Sequence, residues 1–398
     1  MQVENCVSTL TLGGFFVIFA DMKIGYDAKR AVNNNTGLGN YSRLVIDTIA
    51  SSGDDSLLLY APRLRNNPRL MPLLERENVS LCLPDTPSGR RFPSLWRSRG
   101  ITGQLLRDEI DLYHGLSNEL PLNIISSGIP SVVTIHDVIF RHFPRCYRLI
   151  DRKIYDYKFR KAAQHATRVI AISECTRRDI VEFYNIDPAK IDIVYQGCDP
   201  QFARPVDPLR ADGVMHKYGI TRPYIVGVGT VEERKNQLLT VKALRGLPDD
   251  IIAVIVGRRT AYAGEIDSYI DRHGLRDRVI FIENADFADF PALYASALFS
   301  SYPSRYEGFG IPVIESLSVG TPVIIASGSC LEEAAGNEAP VVSPDDVDAY
   351  IAAARHIIDD SGYRRNLVDA GRKHITRFSQ QNFADGLRDS YRKALDSK

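Results

Sequence analysis

The chain carries no excess of charge of either sign: 49 lysines and arginines face 49 aspartates and glutamates across 398 residues. That balance argues against a general nucleic-acid binder and leaves only local basic patches to consider. It has no Cys-x-x-Cys pair either. The six cysteines, Cys6, Cys82, Cys146, Cys175, Cys198 and Cys330, are scattered and lack histidines at ligand spacing. A disulfide framework and a zinc module are thereby excluded, and reduced thiols in a cytoplasmic protein are expected. The apolar stretch TLTLGGFFVIFA at 9–20 falls short of the ~20 residues needed to span a bilayer. Glu4 is the only charge before it, so it lacks the basic leader of a signal peptide. Residues 1–21 are expected to be an N-terminal extension without chemistry. Two glycosylation sequons, at Asn34 and Asn78, are read as chance, since nothing else points to secretion.

What is present is a repeated pattern of short, continuous apolar runs separated by helical stretches. KIGYDA (23–28), LLLYA (57–61), DLYHG (111–115), SVVTIHD (131–137), RVIAIS (168–173) and KIDIVYQG (190–197) form a first series. YIVGVG (224–229), IAVIVG (252–257), VIFIEN (279–284), LFSSYP (298–303) and PVIIAS (322–327) form a second. Continuous rather than alternating apolar runs are the mark of parallel strands covered on both faces by crossover helices. Between the series lies FARPVDPLRADG (202–213), a linker composition. The expected architecture is α/β, two Rossmann-like doubly wound domains facing a central cleft. The boundaries are 22–205 for the first domain, 206–378 for the second, and a C-terminal helix, 379–398, packing back on the first.

The chemistry concentrates in SRYEGFGIPVIES, residues 304–316. Pro312 suits the start of a helix that Gly320 ends. Gly308 and Gly310 let backbone N–H groups approach an anion at that helix N-terminus, and a phosphate is the simplest ligand. Glu315, one turn into the helix, would accept from vicinal hydroxyls such as a ribose diol. Glu307, on the preceding loop, would accept from the hydroxyls of a second ring. The cations come from GVGTVEERKNQ, where Arg234 and Lys235 follow Gly227 and Gly229 and suit a diphosphate clamp. Plain surface charge is the alternative for that pair. No metal site is expected, because the one Asp-x-Asp, at Asp346 and Asp348, reads as helix capping.

These stretches resemble the family-four retaining glycosyltransferases of the GT-B fold (glycosyl transferases group 1). The resemblance runs from residue 22 nearly to the end, including YDAKRAVNNNTGLGNYSR (26–43) and ISECTRRDIVEFYNIDPAKIDIVYQGCDPQF (172–202). It implies that Glu315 binds the donor ribose and Glu307 the transferred sugar. Backbone groups of Phe309, Gly310 and Ile311 would touch that sugar and its phosphate, while Arg234 and Lys235 neutralise the leaving diphosphate beside Gly229. Gly37 and Gly39 would let a loop close over phosphates and acceptor. His136 would sit beside the reacting face of the sugar, and Ser173 would be a small polar residue at the cleft. His136 as a structural histidine and the two glycines as a plain turn are the alternatives. Asp27 and Lys29 lie near the same strand end, and His114 is left undecided.

The implied reaction is retaining transfer of a hexose, mannose favoured, to a glycan or glycolipid in surface polysaccharide synthesis. It needs no metal and no resident cofactor, with GDP-mannose as the favoured donor substrate. Glu283-Asn284 stands where the family usually has a glycine and an aromatic residue near the base, so that stretch does not fix the nucleobase. Two basic-aromatic runs, 89–100 and 141–168, suggest contact with an anionic membrane or a lipid-linked acceptor at the inner face, with a solvated surface as the alternative. Nucleic acid is a poorer third option. A sugar-nucleotide epimerase and a catalytically silent nucleotide-sugar binder are the rival functions.

Overall fold

A computed structural model describes residues 22–397; the proposed N-terminal extension, 1–21, lies outside the described residues. Two all-parallel sheets carry the molecule. The first contains β1 (Lys23–Asp27), β2 (Ser56–Tyr60), β3 (Val79–Cys82), β4 (Leu112–Gly115), β5 (Ser131–Ile135), β6 (Arg168–Ala171) and β7 (Ile191–Ile193), in the order β3-β2-β1-β4-β5-β6-β7. The second contains β8 (Tyr224–Val228), β9 (Ile252–Val256), β10 (Val279–Ile282), β11 (Phe299–Tyr302), β12 (Val323–Ala326) and β13 (Val341–Val342), in the order β10-β9-β8-β11-β12-β13. Every residue of β5 and β9 is buried, which is why their sequences show no alternation.

Strand order reverses beside β1 in the first sheet and beside β8 in the second. Loops leaving the strands there diverge and open a crevice at their carboxyl ends. The segments after β1, β5, β8 and β11 carry the candidate residues apart from Ser173, which follows β6.

Three features of the fold go beyond what the sequence shows. β3 and β13 are not among the runs read from the sequence: β3 is broken by the exposed Ser80 and β13 is only two residues long. The linker composition at 202–213 is largely helical: Pro208 opens a helix, Pro208–Lys217, whose first turn is capped by the Asp207 carboxylate accepting from the Leu209 N–H. Here proline starts a helix, since its missing N–H is one of those a helix start leaves unpaired anyway. Asp27 faces no open cleft, being buried in an ion pair with Arg97, which also holds Glu119 at 2.7 Å.

The C-terminal helix, Gln380–Asp396, buries Phe383, Leu387, Tyr391 and Ala394 in the core of the first sheet. Its Tyr391 hydroxyl meets Nδ1 of His114 at 2.8 Å, and His114 Nε2 meets Thr134 Oγ1 at 2.9 Å. His114 is thus a satisfied core residue. As expected, Asp346 caps the helix Val347–Asp359, accepting from Ala349 N–H at 2.8 Å.

Candidate active site

A cleft of about 890 Å³ lies between the sheets. The first domain lines it with Thr36, Gly37, His136 and Asp137, and the second with Gly229, Arg234, Lys235, Glu307 and Glu315, among others. The loop after β8 reaches it through Gly229, whose φ of 141° only glycine adopts without strain.

The two cations and Glu307 form one unit rather than separate subsites. Arg234 Nη1 stands 2.9 Å and Lys235 Nζ 2.7 Å from Glu307 Oε1. Arg234 also pairs with Glu232 at 2.6 Å, and Lys235 donates to the Tyr302 hydroxyl at 2.5 Å. Burial works against the Glu307 charge, but Lys235 and Arg234 outweigh it and hold the carboxyl below its ordinary range. The same pairing raises Arg234 and Lys235 against their own burial. All three are therefore charged at neutral pH.

After Glu307 the backbone carbonyls turn away into the protein. The carbonyls of Glu307 and Phe309 accept from the Cys330 thiol, and that of Gly308 accepts from Ser173 Oγ at 2.7 Å. In a trans peptide the N–H of the next residue points the opposite way. The N–H groups of Gly308, Phe309, Gly310 and Ile311 have no partner among the described residues, and all four residues line the cleft. They lead into the helix Ile311–Val319, with Pro312 at its second position and Gly310 at φ 132° before it. The helix dipole adds to the attraction for an anion there.

Glu315, one turn in, differs from Glu307. Burial pushes its carboxyl up to about 8, a hydrogen bond from Tyr294 pulls it down, and Asp199 adds to the rise. The Tyr294 hydroxyl donates to Glu315 Oε2 at 3.2 Å, and the residue lines the cleft.

On the opposing wall, Nε2 of His136 donates to the Leu116 carbonyl at 2.9 Å. Burial drives its pKa down to about 4, so the ring is neutral and Nδ1 is an acceptor. Gly37 begins the helix Gly37–Ser51 at the cleft.

Gly39 and Ser173 are placed elsewhere than the sequence suggested. A Cβ on Gly39 would lie 1.8 Å from the Asn34 carbonyl oxygen, so this glycine serves a close backbone approach and does not line the cleft. Ser173 is fully buried and caps the helix Glu174–Tyr184 while holding Gly308 across the domain boundary. Asp137, Tyr294 and Tyr302 went unnoticed in the sequence. Asp137 and Tyr302 show only as polar atoms at the ends of strand runs, and Tyr294 as one within a short helix, Phe290–Ala295, and neither signal gives a partner.

Residues 36–202 match the Glycosyltransferase Family 4 model and residues 215–374 the Glycosyl transferases group 1 model. The chain is 28% identical over 284 residues to O-antigen chain mannosyltransferase B of Escherichia coli, covering 70% of this chain and 73% of that protein. It is 27% identical over 225 residues to O-antigen chain mannosyltransferase RfbU of Salmonella typhimurium, covering 56% of this chain and 60% of the relative. HepE of Anabaena, solved with UDP and glucose, shares the fold with a TM-score of 0.73 at 18% identity, covering 93% of this chain and 99% of the other. With one family model on each domain and the charged residues gathered in the cleft between them, the chain belongs to the GT-B glycosyltransferases of family 4 and group 1.

Proposed function

We propose that this glycosyltransferase moves mannose from GDP-mannose to a lipid-linked glycan with retention of configuration and without a metal ion. The observation that carries the donor reading is the Arg234–Lys235–Glu307 unit set against the four N–H groups of residues 308–311, which are unpaired among the described residues. Protein cations and a helix N-terminus supply the charge that a diphosphate leaving group requires. Glu315 takes the ribose hydroxyls and Glu307 the hydroxyls of the sugar. Neutral His136 offers Nδ1 to a sugar hydroxyl beside the reacting carbon. The acceptor hydroxyl arrives on the face from which the diphosphate departs and gives its proton to a diphosphate oxygen, so no protein nucleophile is used. The O-antigen mannosyltransferases among the relatives favour mannose and a surface-glycan acceptor.

The first domain, the acceptor domain in this reading, supports a lipid-linked substrate. On the helix Leu149–His165, Leu149, Ile150, Ile154 and Tyr157 are exposed, with Lys153 between them at helical spacing. Arg145 and Arg148 stand exposed just before it, whereas Arg141, Lys158 and Arg160 are taken by carboxylates. Apolar side chains flanked by free cations suit an anionic bilayer surface. No described helix is long and apolar enough to cross a membrane.

The test is incubation with radiolabelled GDP-mannose and a lipid-linked oligosaccharide extract, followed by anomeric analysis of the product. An α-mannoside, lost in Arg234→Ala, is expected. A β-product would overturn retention, and transfer from UDP-glucose alone would overturn the donor.

A further inference from the structure

The residue before Glu307 belongs to both domains. Tyr306 leaves the second domain and inserts its ring into the first, stacked on His142 with centroids 4.2 Å apart and planes at 28°. Its hydroxyl donates to Asp179 Oδ2 at 2.6 Å, and Asp179 Oδ1 meets His142 Nε2 at 2.9 Å. Asp179 lies on the helix Glu174–Tyr184 of the acceptor domain. That helix is fixed to the second domain at its start as well, where the Glu333 carboxylate accepts from the N–H groups of Glu174 at 2.7 Å and Cys175 at 2.8 Å.

The other end of Tyr306 touches the clamp. Its carbonyl accepts from Arg234 Nη1 at 2.6 Å, and its next residue is the carboxylate that holds both cations. Two hydrogen bonds, joined by the covalent frame of Tyr306, therefore link Asp179 to Arg234. Tyr306 and Asp179 are both less than a tenth exposed, so the hydroxyl–carboxylate bond lies in a low-dielectric setting where losing it is costly. Packing alone would be met by phenylalanine; the hydroxyl adds direction.

We infer that Tyr306 and Asp179 are positioning residues, through which the acceptor domain aims Arg234 and Lys235 at the diphosphate. This rests on the donor reading above. The clamp's own ion pairs lie within the second domain, and the Tyr306–Asp179 contact is what ties their aim to the first domain.

The experiment is calorimetric titration of GDP, UDP and ADP, and of the three matching monophosphates, into the full chain and its variants. The β-phosphate is what the clamp reads, so the diphosphate-to-monophosphate affinity ratio isolates it. Tyr306→Phe and Asp179→Ala should each lower diphosphate affinity about tenfold while leaving the monophosphate within about twofold. Asp179→Asn, which can still accept from Tyr306, should recover most of the loss. Equal losses for both nucleotides, or no loss for either, in variants that unfold cooperatively like the parent, would overturn the inference and leave the donor reading standing. A wild-type chain that binds none of the three diphosphates, or fails to prefer them over the monophosphates, would overturn both.

Discussion

Glu307 and Glu315 share a cleft and a sequence motif but not a charge state. The first is kept ionised by two cations, and the second is pushed up to about 8 by burial with only a tyrosine hydroxyl to offset it. In an unfolded chain Glu315 ionises near 4.5. Between pH 4.5 and 8 the unfolded state is thus ionised while the folded state is not, so stability falls as pH rises through that window. Glu315→Gln removes the penalty. Its unfolding free energy should gain on the parent by at most about 1.4 kcal/mol per pH unit across the window and run parallel outside it. Urea titrations at several pH values check this; a constant difference would contradict the burial of an uncompensated carboxyl. His136 predicts an absence. With its pKa near 4 instead of the ordinary 6.5, it should give the donor-binding profile no inflection near 6.5. Donor titration from pH 5 to 8 would show such an inflection if the ring were solvated.

Among the elements, two glycines that look alike in the sequence part company. A Cβ on Gly37 meets nothing within 4 Å, whereas one on Gly39 would lie 1.8 Å from Asn34 O. Gly39→Ala should cost about 1–3 kcal/mol, and Gly37→Ala no more than about 0.5, read from urea midpoints. Gly308 shows the same device across domains, since its Cβ would fall 2.3 Å from the His136 carbonyl oxygen. The spacing Gly-x-Gly marks a turn but cannot say which member faces a distant backbone. The helix at Pro208 was hidden for a related reason: proline serves linkers and helix starts alike, and only the Asp207 cap separates the two readings. By contrast, the helix after Gly310 was legible, because its start, its glutamate and its terminating Gly320 all lie within one short stretch.

At the scale of the molecule, the two sheets could be read because buried parallel strands leave continuous apolar runs. β3 and β13 could not, the first because the exposed Ser80 breaks its apolar run and the second because it is two residues long. Local clusters such as Glu232 to Lys235 and Glu307 to Glu315 were visible, while Tyr306 with Asp179 and Tyr391 with His114 join residues 127 and 277 positions apart. No sequence period records contacts of that range. Tyr391 ties the last helix to the first domain through His114 and Tyr26. Tyr391→Phe leaves both without that partner and should destabilise by about 1–2 kcal/mol, measured by urea unfolding.

In the proposed function, one cleft binds one class of donor. The most direct test is a thermal-shift titration of the full chain with GDP-mannose and UDP-glucose, without added metal, in wild type, Arg234→Ala and Glu315→Ala. A rise in midpoint with GDP-mannose that is lost in both variants is the predicted result. A wild-type rise that survives intact in both would place the donor somewhere other than the Arg234–Glu307–Glu315 cleft and contradict the account.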